Sequence, residues 1–227
     1  MNINRERIPT INARRISLRQ YAASDLDAIY EIHADPEVMR YLGGSPMLDR
    51  SEAQKFMAKA LEDFSRGQSI EWGIARRSDN RLMGSITFFS LDAFARRAEI
   101  GFALGRPHWG RGYMHEALQA ALGYGFNELE FRRVEADTDP NNFPAVRLLE
   151  RVGFKREGFL RERWVVPNET QDALFYGLLK REWDSAGTVY EVVQLPQPPA
   201  SVMGSLRSRV ARSRVRRWAA VPLRWLH

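Results

Sequence analysis

Polar and apolar residues alternate along this chain in two different rhythms, which predict strands and helices. Short apolar or period-two runs predict strands at residues 15–21, 69–76, 82–91, 96–104, 133–137, 154–158 and 172–180. Apolar residues at helical spacing predict helices over residues 25–34, from 36, from 51, from 113 and from 142. Ser24 is the expected cap of the first helix. Long helices between strands indicate an α/β (α+β) fold.

The segment at residues 101–118 is the most informative part of the chain. An apolar run ends at Pro107, a Gly-X-Gly turn follows at residues 110–112, and an amphipathic helix then begins. The first backbone N–H groups of a helix lack partners, and glycines let an anion approach them closely. The turn therefore fits a phosphate or diphosphate, although a tight strand-to-helix connection is the alternative interpretation.

Two common phosphate motifs are excluded, and a second segment adds to the picture. The chain has no G-x-x-x-x-G-K-[ST] sequence, and the Gly-X-Gly turn lacks the third glycine of a dinucleotide fingerprint. At residues 139–154, Asn142 is a plausible helix cap, Pro144 lies in the first turn, and Gly153 is the expected stop. The apolar stripe between them comprises Ala145, Leu148, Leu149 and Val152.

Together these segments resemble the GNAT superfamily of acyl-coenzyme A N-acyltransferases. Residues 109–114 occupy the place of its pyrophosphate-binding loop, and residues 142–154 look like its N-x-x-S-x-x-L-L-E-x-x-G-F helix and strand. The RimJ/RimL-like group of ribosomal-protein N-acetyltransferases is the most similar, through the segments at 98–102, 108–113, 156–162 and 172–183. The resemblance covers roughly residues 14–184.

The resemblance implies a fold and a cosubstrate. The fold would be a mixed, mostly antiparallel central sheet with helices on both faces and a V-shaped splay between the fourth and fifth strands. Acetyl-coenzyme A would lie in that splay and transfer its acetyl group directly to an amine. The implied cofactor-binding residues are Phe102, Ala103, Leu104, Arg111, Gly112, Tyr113, Met114 and Asn142. Ala145 departs from the serine frequent in the family, which leaves the general acid unassigned.

The attacking amine must be neutral, and this requirement bears on the acceptor and on the base. A lysine-type amine with a pKa of about 10.4 is neutral about once in a few thousand molecules at pH 7, whereas an α-amine of pKa about 7.7–8.0 is about one tenth neutral. A weak base therefore serves a protein N-terminus more easily. Glu99 is the first candidate base and Glu162 the second, with ordinary structural carboxylates as the alternative interpretation.

Three functions stay open at this point. The first is acetyl transfer to the N-terminal α-amine of a protein, and the second is acetylation of a small amine such as a polyamine or an aminoglycoside. The third is a non-catalytic acyl-coenzyme A-binding module. Monomer and homodimer are both compatible with the sequence.

Composition and charge divide the chain into three parts. We predict an extension at residues 1–13, an N-acetyltransferase domain at 14–186 and a proline-containing linker with an arginine-rich tail at 187–227. The tail holds seven arginines and one glutamate, so it accounts for the whole net charge of +6. A disordered tail, contact with RNA or another polyanion, and peripheral membrane contact are its open interpretations.

Some classes of protein are not expected from this sequence. The chain has no cysteine, and its histidines and acids show no metal-ligand spacing, so no metal is predicted. Neither a signal peptide nor an apolar stretch of transmembrane length is present, so a cytoplasmic protein is expected.

Overall fold

The computed structural model describes residues 7–166, 169–183 and 189–193. Within them, nine strands form one sheet: β1 (Thr10–Asn12), β2 (Ile16–Arg19), β3 (Ile70–Arg76), β4 (Leu82–Asp92), β5 (Arg97–Leu104), β6 (Arg133–Thr138), β7 (Lys155–Val166), β8 (Glu169–Leu179) and β9 (Glu191–Val193). The helices are α1 (Leu26–His33), α2 (Pro36–Met39), α3 (Arg50–Arg66), α4 (Tyr113–Asn127) and α5 (Phe143–Val152).

The strand order across the sheet is β7-β8-β6-β5-β4-β3-β2-β1-β9. Neighbours in the described sheet are antiparallel except β5 and β6, which are parallel because α4 provides the long crossover between them. Their pairing runs from Arg97 opposite Arg133 to Glu99 opposite Glu135 and then ends. The two strands separate beyond that point. They are the fourth and fifth of the predicted strands, because β1 was not predicted, so the predicted fold and its V-shaped splay are confirmed.

Helices cover both faces of the sheet, as predicted. One core lies under α4 and α5, where the ring of Phe88 meets those of Trp72 and Phe131 edge to face at 5.9 and 5.2 Å between centroids. A second, smaller core lies under α1 and α3 and includes Tyr21 and Ile29. Successive side chains of a strand point to opposite faces, so each inner strand serves both cores.

Local capping chemistry sets most helix ends. The side chain of Asn142 accepts a hydrogen bond from the backbone N–H of Ala145 at 3.3 Å, and Gly153 ends α5 with φ of 105°. Both predictions for this helix are confirmed. The prediction that Ser24 caps the first helix is wrong, because a 3-10 turn at Ala23–Asp25 precedes α1. The Asp25 carboxylate accepts a hydrogen bond from the backbone N–H of Ala22 at 2.7 Å, and Nη1 of Arg19 forms an ion pair with the same carboxylate at 2.7 Å.

Two short strands lie on either side of the predicted 14–186 range. β1 and β9 have three residues each and pair with one another, so neither carries enough of a pattern to be predicted. The hydroxyl of Tyr190 accepts a hydrogen bond from Asn127 at 2.9 Å, and its ring packs where Gly123 of α4 has no side chain. The predictions for residues 1–6 and for the arginine-rich tail lie outside the described residues.

Gly84 offers a test of the packing between β4 and β5. A Cβ atom at this position would lie 2.2 Å from the backbone oxygen of Ala103, and a strand backbone has little room to move. We expect Gly84→Ala to lower the free energy of unfolding by about 2 kcal/mol or more in chemical denaturation.

Gly158→Ala is the matched control in the same sheet, because its added Cβ would lie at an ordinary 3.8 Å from Phe175. Equal stability of the two variants would contradict the close approach of β4 to β5.

Candidate functional site

The turn before α4 leaves a row of backbone donors free. Gly112 is the N-cap of α4 in the left-handed conformation, with φ of 77° and ψ of 8°, and it has no side chain to cap the helix. Within the described chain, the backbone N–H groups of residues 111–115 donate to no protein acceptor. These donors and the positive end of the helix dipole together suit an anion.

Arg15, between β1 and β2, fixes the turn in place. Its backbone N–H and its Nε donate to the two carboxylate oxygens of Glu116 at 2.5 and 2.7 Å, and its Nη1 donates to the carbonyl oxygen of Arg111 at 2.9 Å. Its guanidinium also stacks 4.8 Å from the ring centroid of Tyr113. The negative charge of Glu116, in the first turn of α4, is therefore balanced by Arg15.

Sequence reasoning missed Arg15. The residue is 101 positions from Glu116 in the chain, and no local pattern connects the two. The contact depends on the pairing of β1 with β2, which brings the turn between them against the start of α4.

The residues between β5 and the turn contribute further polar groups. The indole N–H of Trp109 donates to the carbonyl oxygen of Leu104 at 2.5 Å, which holds the turn against the end of β5. His108 is buried beside it and its Nδ1 has no partner in the described chain. Burial lowers the pKa of His108, and the nearby guanidinium groups of Arg76, Arg81 and Arg111 lower it further. Three guanidinium groups therefore lie near His108, and the one on Arg76 is paired with Asp79.

The predicted cofactor-binding residues outside the turn lie on β5 and at the start of α5, the elements on the two sides of the splay. Phe102, Ala103 and Leu104 belong to the half of β5 that pairs with β4 but no longer with β6, so one backbone edge of that half has no strand partner within the described residues. Asn142 begins α5 on the other wall. The hydroxyl of Tyr41 donates to the carbonyl oxygen of Asn141 at 3.4 Å, which joins the segment after α2 to that wall.

Glu99 lies in the last residue pair before the strands separate. It is opposite Phe89 of β4 and Glu135 of β6, and it forms no ion pair within the described residues. Burial raises the pKa of Glu99, and the charges of Asp137 and Glu135 raise it further, whereas the hydroxyl of Ser90 and the guanidinium of Arg163 act in the opposite direction. A half-buried carboxyl group with a raised pKa has the properties of a general base.

Glu162 is placed differently. It lies on β7, and β8 and β6 separate that strand from β5. Its side chain is exposed, its φ is 52°, and its backbone N–H donates to the Asp172 carboxylate at 2.8 Å within an irregularity of β7. The structure therefore does not bring the two candidate bases together in one strand pair.

A buried carboxyl group that the sequence did not indicate lies in the second core. The hydroxyl of Tyr21 donates to Glu71 at 2.6 Å, and both residues are buried. Burial raises the pKa of Glu71 to about 7, against the effect of the hydrogen bond from Tyr21. The sequence shows one acidic residue within the apolar run of β3, but a local pattern does not tell whether the side chain of such a residue is buried or exposed.

Two features that mark other protein classes are absent from the described part of the chain. No three His, Cys, Asp or Glu side chains are grouped there as a metal site would require. No helix there combines the length and the apolar character that crossing a bilayer demands.

Comparison with known proteins identifies relatives of this chain. A family model for the acetyltransferase (GNAT) domain matches residues 15–155. The uncharacterized N-acetyltransferase p20 of Bacillus licheniformis is 35% identical over 175 residues, which are 77% of this chain and 98% of p20. YdaF of Bacillus subtilis, provisionally named a ribosomal N-acetyltransferase, is 36% identical over 138 residues, which are 59% of this chain and 74% of YdaF.

A solved structure supports the fold. The crystal structure of spermidine N-acetyltransferase from Vibrio cholerae in complex with CoA and spermine matches with a TM-score of 0.66. The match covers 74% of this chain and 97% of that one at 22% sequence identity, so it establishes a shared fold.

The buried carboxyl group of Glu71 predicts a specific pH dependence of stability. The folded protein holds this proton up to about pH 7, whereas the unfolded chain releases it near its ordinary pKa of 4.5, so stability falls as pH rises across that interval. Glu71→Gln removes the titration and keeps the shape. The unfolding free energy of the variant relative to the parent should therefore rise by about 2 to 3 kcal/mol from the lower to the higher pH.

Chemical denaturation at several pH values measures this difference. Glu62→Gln on exposed α3 is the control, because its carboxylate forms only a surface pair with Arg66. Parallel stability curves for Glu71→Gln and its parent would contradict the burial of a protonated Glu71.

Proposed function

The chain belongs to the GNAT acetyltransferase family, and we propose that it transfers the acetyl group of acetyl-coenzyme A to the N-terminal α-amine of a protein. The observation that carries the acetyl-coenzyme A part of this proposal is the row of free amides at residues 111–115, at the start of the crossover helix between the two strands of the splay. The predicted superfamily, its ribosomal N-acetyltransferase-like group and the acyltransferase class are confirmed by the family match and the relatives.

The start of α4 fits the diphosphate of acetyl-coenzyme A. In this proposal the amides of Arg111, Gly112, Tyr113 and Met114 hold the diphosphate, and Arg15 neutralises the Glu116 carboxylate, which would otherwise repel the anion. Asn142, on the other side of the splay, is proposed to contact the pantetheine arm. Its side-chain oxygen Oδ1 is kept in place because it accepts a hydrogen bond from the backbone N–H of Ala145.

The open edge of β5 suits the thioester. Phe102, Ala103 and Leu104 lie where β5 has lost its partner β6, so amides of this edge are available as donors to the thioester oxygen. Such preorganised donors stabilise the oxyanion of a tetrahedral intermediate, and one donor is worth about 100- to 1000-fold in rate.

Glu99 is the proposed base. A neutral amine attacks the thioester carbon, its proton passes to the Glu99 carboxylate, and the C–S bond breaks to release the thiolate. Burial raises the proton affinity of Glu99, which brings it closer to that of an α-amine. Glu162, exposed on the irregular part of β7, remains the second candidate, and the acid that protonates the thiolate is unassigned.

The charges at the splay support an α-amine as acceptor. Glu135 is paired with Arg97 and Arg133 at 2.8 and 2.7 Å, and Asp137 with Arg163 at 3.3 Å. The carboxylates around Glu99 are thus balanced, which gives a polycation little to bind. The provisional name of YdaF supports a protein acceptor.

A small polyamine is the second candidate acceptor. The carboxyl groups of Glu99, Glu135 and Asp137 lie close to one another. The Vibrio cholerae enzyme of the same fold is named for spermidine. A polyamine would need to displace the arginines from their carboxylate partners, and this cost favours the α-amine.

Replacing Gly112 tests the diphosphate site. A β-branched side chain is strained at φ of 77° and displaces the amides on either side, so we expect Gly112→Val to weaken acetyl-coenzyme A binding at least about tenfold by calorimetry. Gly43→Val is the control, because Gly43 has a similar φ of 72° and open space around it. Unchanged affinity in Gly112→Val would exclude the turn as the binding site.

A panel of acceptors tests the choice of amine. Release of free thiol from acetyl-coenzyme A would be followed with peptides bearing a free N-terminus, the same peptides with blocked N-termini, and spermidine. We expect kcat/KM for the free N-terminus to exceed that for spermidine at least about tenfold at neutral pH, because far more α-amine is neutral there. Faster turnover of spermidine would favour the polyamine candidate.

A further inference from the structure

We infer that Arg163 is a positioning residue for Glu99, which it influences by holding Asp137 beside the mouth of the splay. The inference rests on the proposed function, because it assumes that Glu99 is the base. It concerns an arginine on β7 and an aspartate on β6, neither of which the sequence indicated as functional.

A bulge in β7 places Arg163. Leu160 is opposite Ala173 and Trp164 is opposite Gln171, so three residues of β7 correspond to the single Asp172 of β8. Extra residues of this kind bend a strand and redirect its side chains.

The bulge is held by its own contacts. Glu162, at its centre, has φ of 52°, and the Asp172 carboxylate accepts a hydrogen bond from its backbone N–H at 2.8 Å. The guanidinium of Arg163 stacks 4.9 Å from the ring centroid of Trp164, which restricts the side chain further.

Arg163 crosses β8 to reach Asp137 on β6. Its Nε lies 3.3 Å from a carboxylate oxygen of Asp137, whose side chain is only 13% exposed. An ion pair of this burial is less screened by water than one on the open surface. The side chain of Arg163 therefore fixes both the charge balance and the position of Asp137.

Asp137 lies on the same face of the sheet as Glu99. Glu135 is the β6 partner of Glu99, and Asp137 follows two residues later, where side chains return to the same face. Because the strands separate there, Asp137 borders the opening.

The charged groups that face Glu99 come from three strands. β6 contributes Glu135 and Asp137, β7 contributes Arg163, and Arg97 on β5 itself pairs with Glu135. Glu135 is balanced twice, by Arg97 and by Arg133, whereas Asp137 is balanced by Arg163 alone within the described residues. Removal of Arg163 therefore exposes Glu99 to the full charge of Asp137, and removal of Asp137 exposes it to the full charge of Arg163.

These two changes should move the pH profile in opposite directions. The measurement is kcat/KM against pH for a peptide N-terminus, expressed per concentration of neutral amine to remove the titration of the substrate. We expect Arg163→Met to move the acidic limb up by about half a pH unit or more, because a carboxylate beside another carboxylate binds its proton more tightly. Asp137→Asn should move the limb down by a similar amount, and Arg163→Lys should restore most of the parent profile.

Controls separate this inference from its premise. Arg161→Met changes an exposed arginine of the same bulge and should leave the limb in place. Glu99→Gln should abolish the limb, and a limb that survives this change would refute Glu99 as the base. If Glu99→Gln abolishes the limb while Arg163→Met and Asp137→Asn leave it unmoved, the positioning role is refuted, whatever the melting temperatures of the variants.

Discussion

Three parallel residue pairs between β5 and β6 hold the two halves of the sheet together, and the candidate site begins where they end. The crossover through α4 makes this pair of strands parallel, and its short length lets them diverge. The divergence leaves one edge of β5 without strand partners and directs it into the opening. The first turn of α4, which the same crossover provides, adds its own unpaired amides. One topological feature thus supplies donors for both ends of the proposed thioester ligand.

The charges around the splay are arranged in balanced sets. Arg15 neutralises Glu116 at the start of α4, Arg97 and Arg133 neutralise Glu135, and Arg163 neutralises Asp137, as the ion pairs at 2.7 to 3.3 Å indicate. Partly buried carboxylates without partners would be costly, and they would compete with an anionic ligand at one end of the site. Glu99 differs from them, since it is half-buried beside these groups without an arginine of its own.

Local signals in the sequence predicted much of this arrangement. Asn142 and Gly153 bound α5 through contacts within a few residues, and the Gly-X-Gly turn carries the free amides within one short segment. Contacts between distant segments were not predictable in this way. Arg15 meets Glu116 across 101 residues, and Tyr21 meets Glu71 across 50. These pairs depend on strand order and register, which a pattern of polar and apolar residues does not determine.

Two irregular strands explain why Glu99 is flanked by groups that sequence patterns could not place. β4 changes register next to Phe89, the partner of Glu99, and Ser90 there has φ of 50°. Glu162 in the bulge of β7 has φ of 52°. Positive φ at residues other than glycine costs about 1 to 3 kcal/mol and persists where surrounding contacts impose it. A regular β7 would keep the strict alternation of side chains, so the strain at Glu162 is the cost of directing Arg163 across β8. Glu162, which was predicted as a candidate base, therefore shapes the backbone of β7, and its neighbour Arg163 supplies the positive charge beside Asp137.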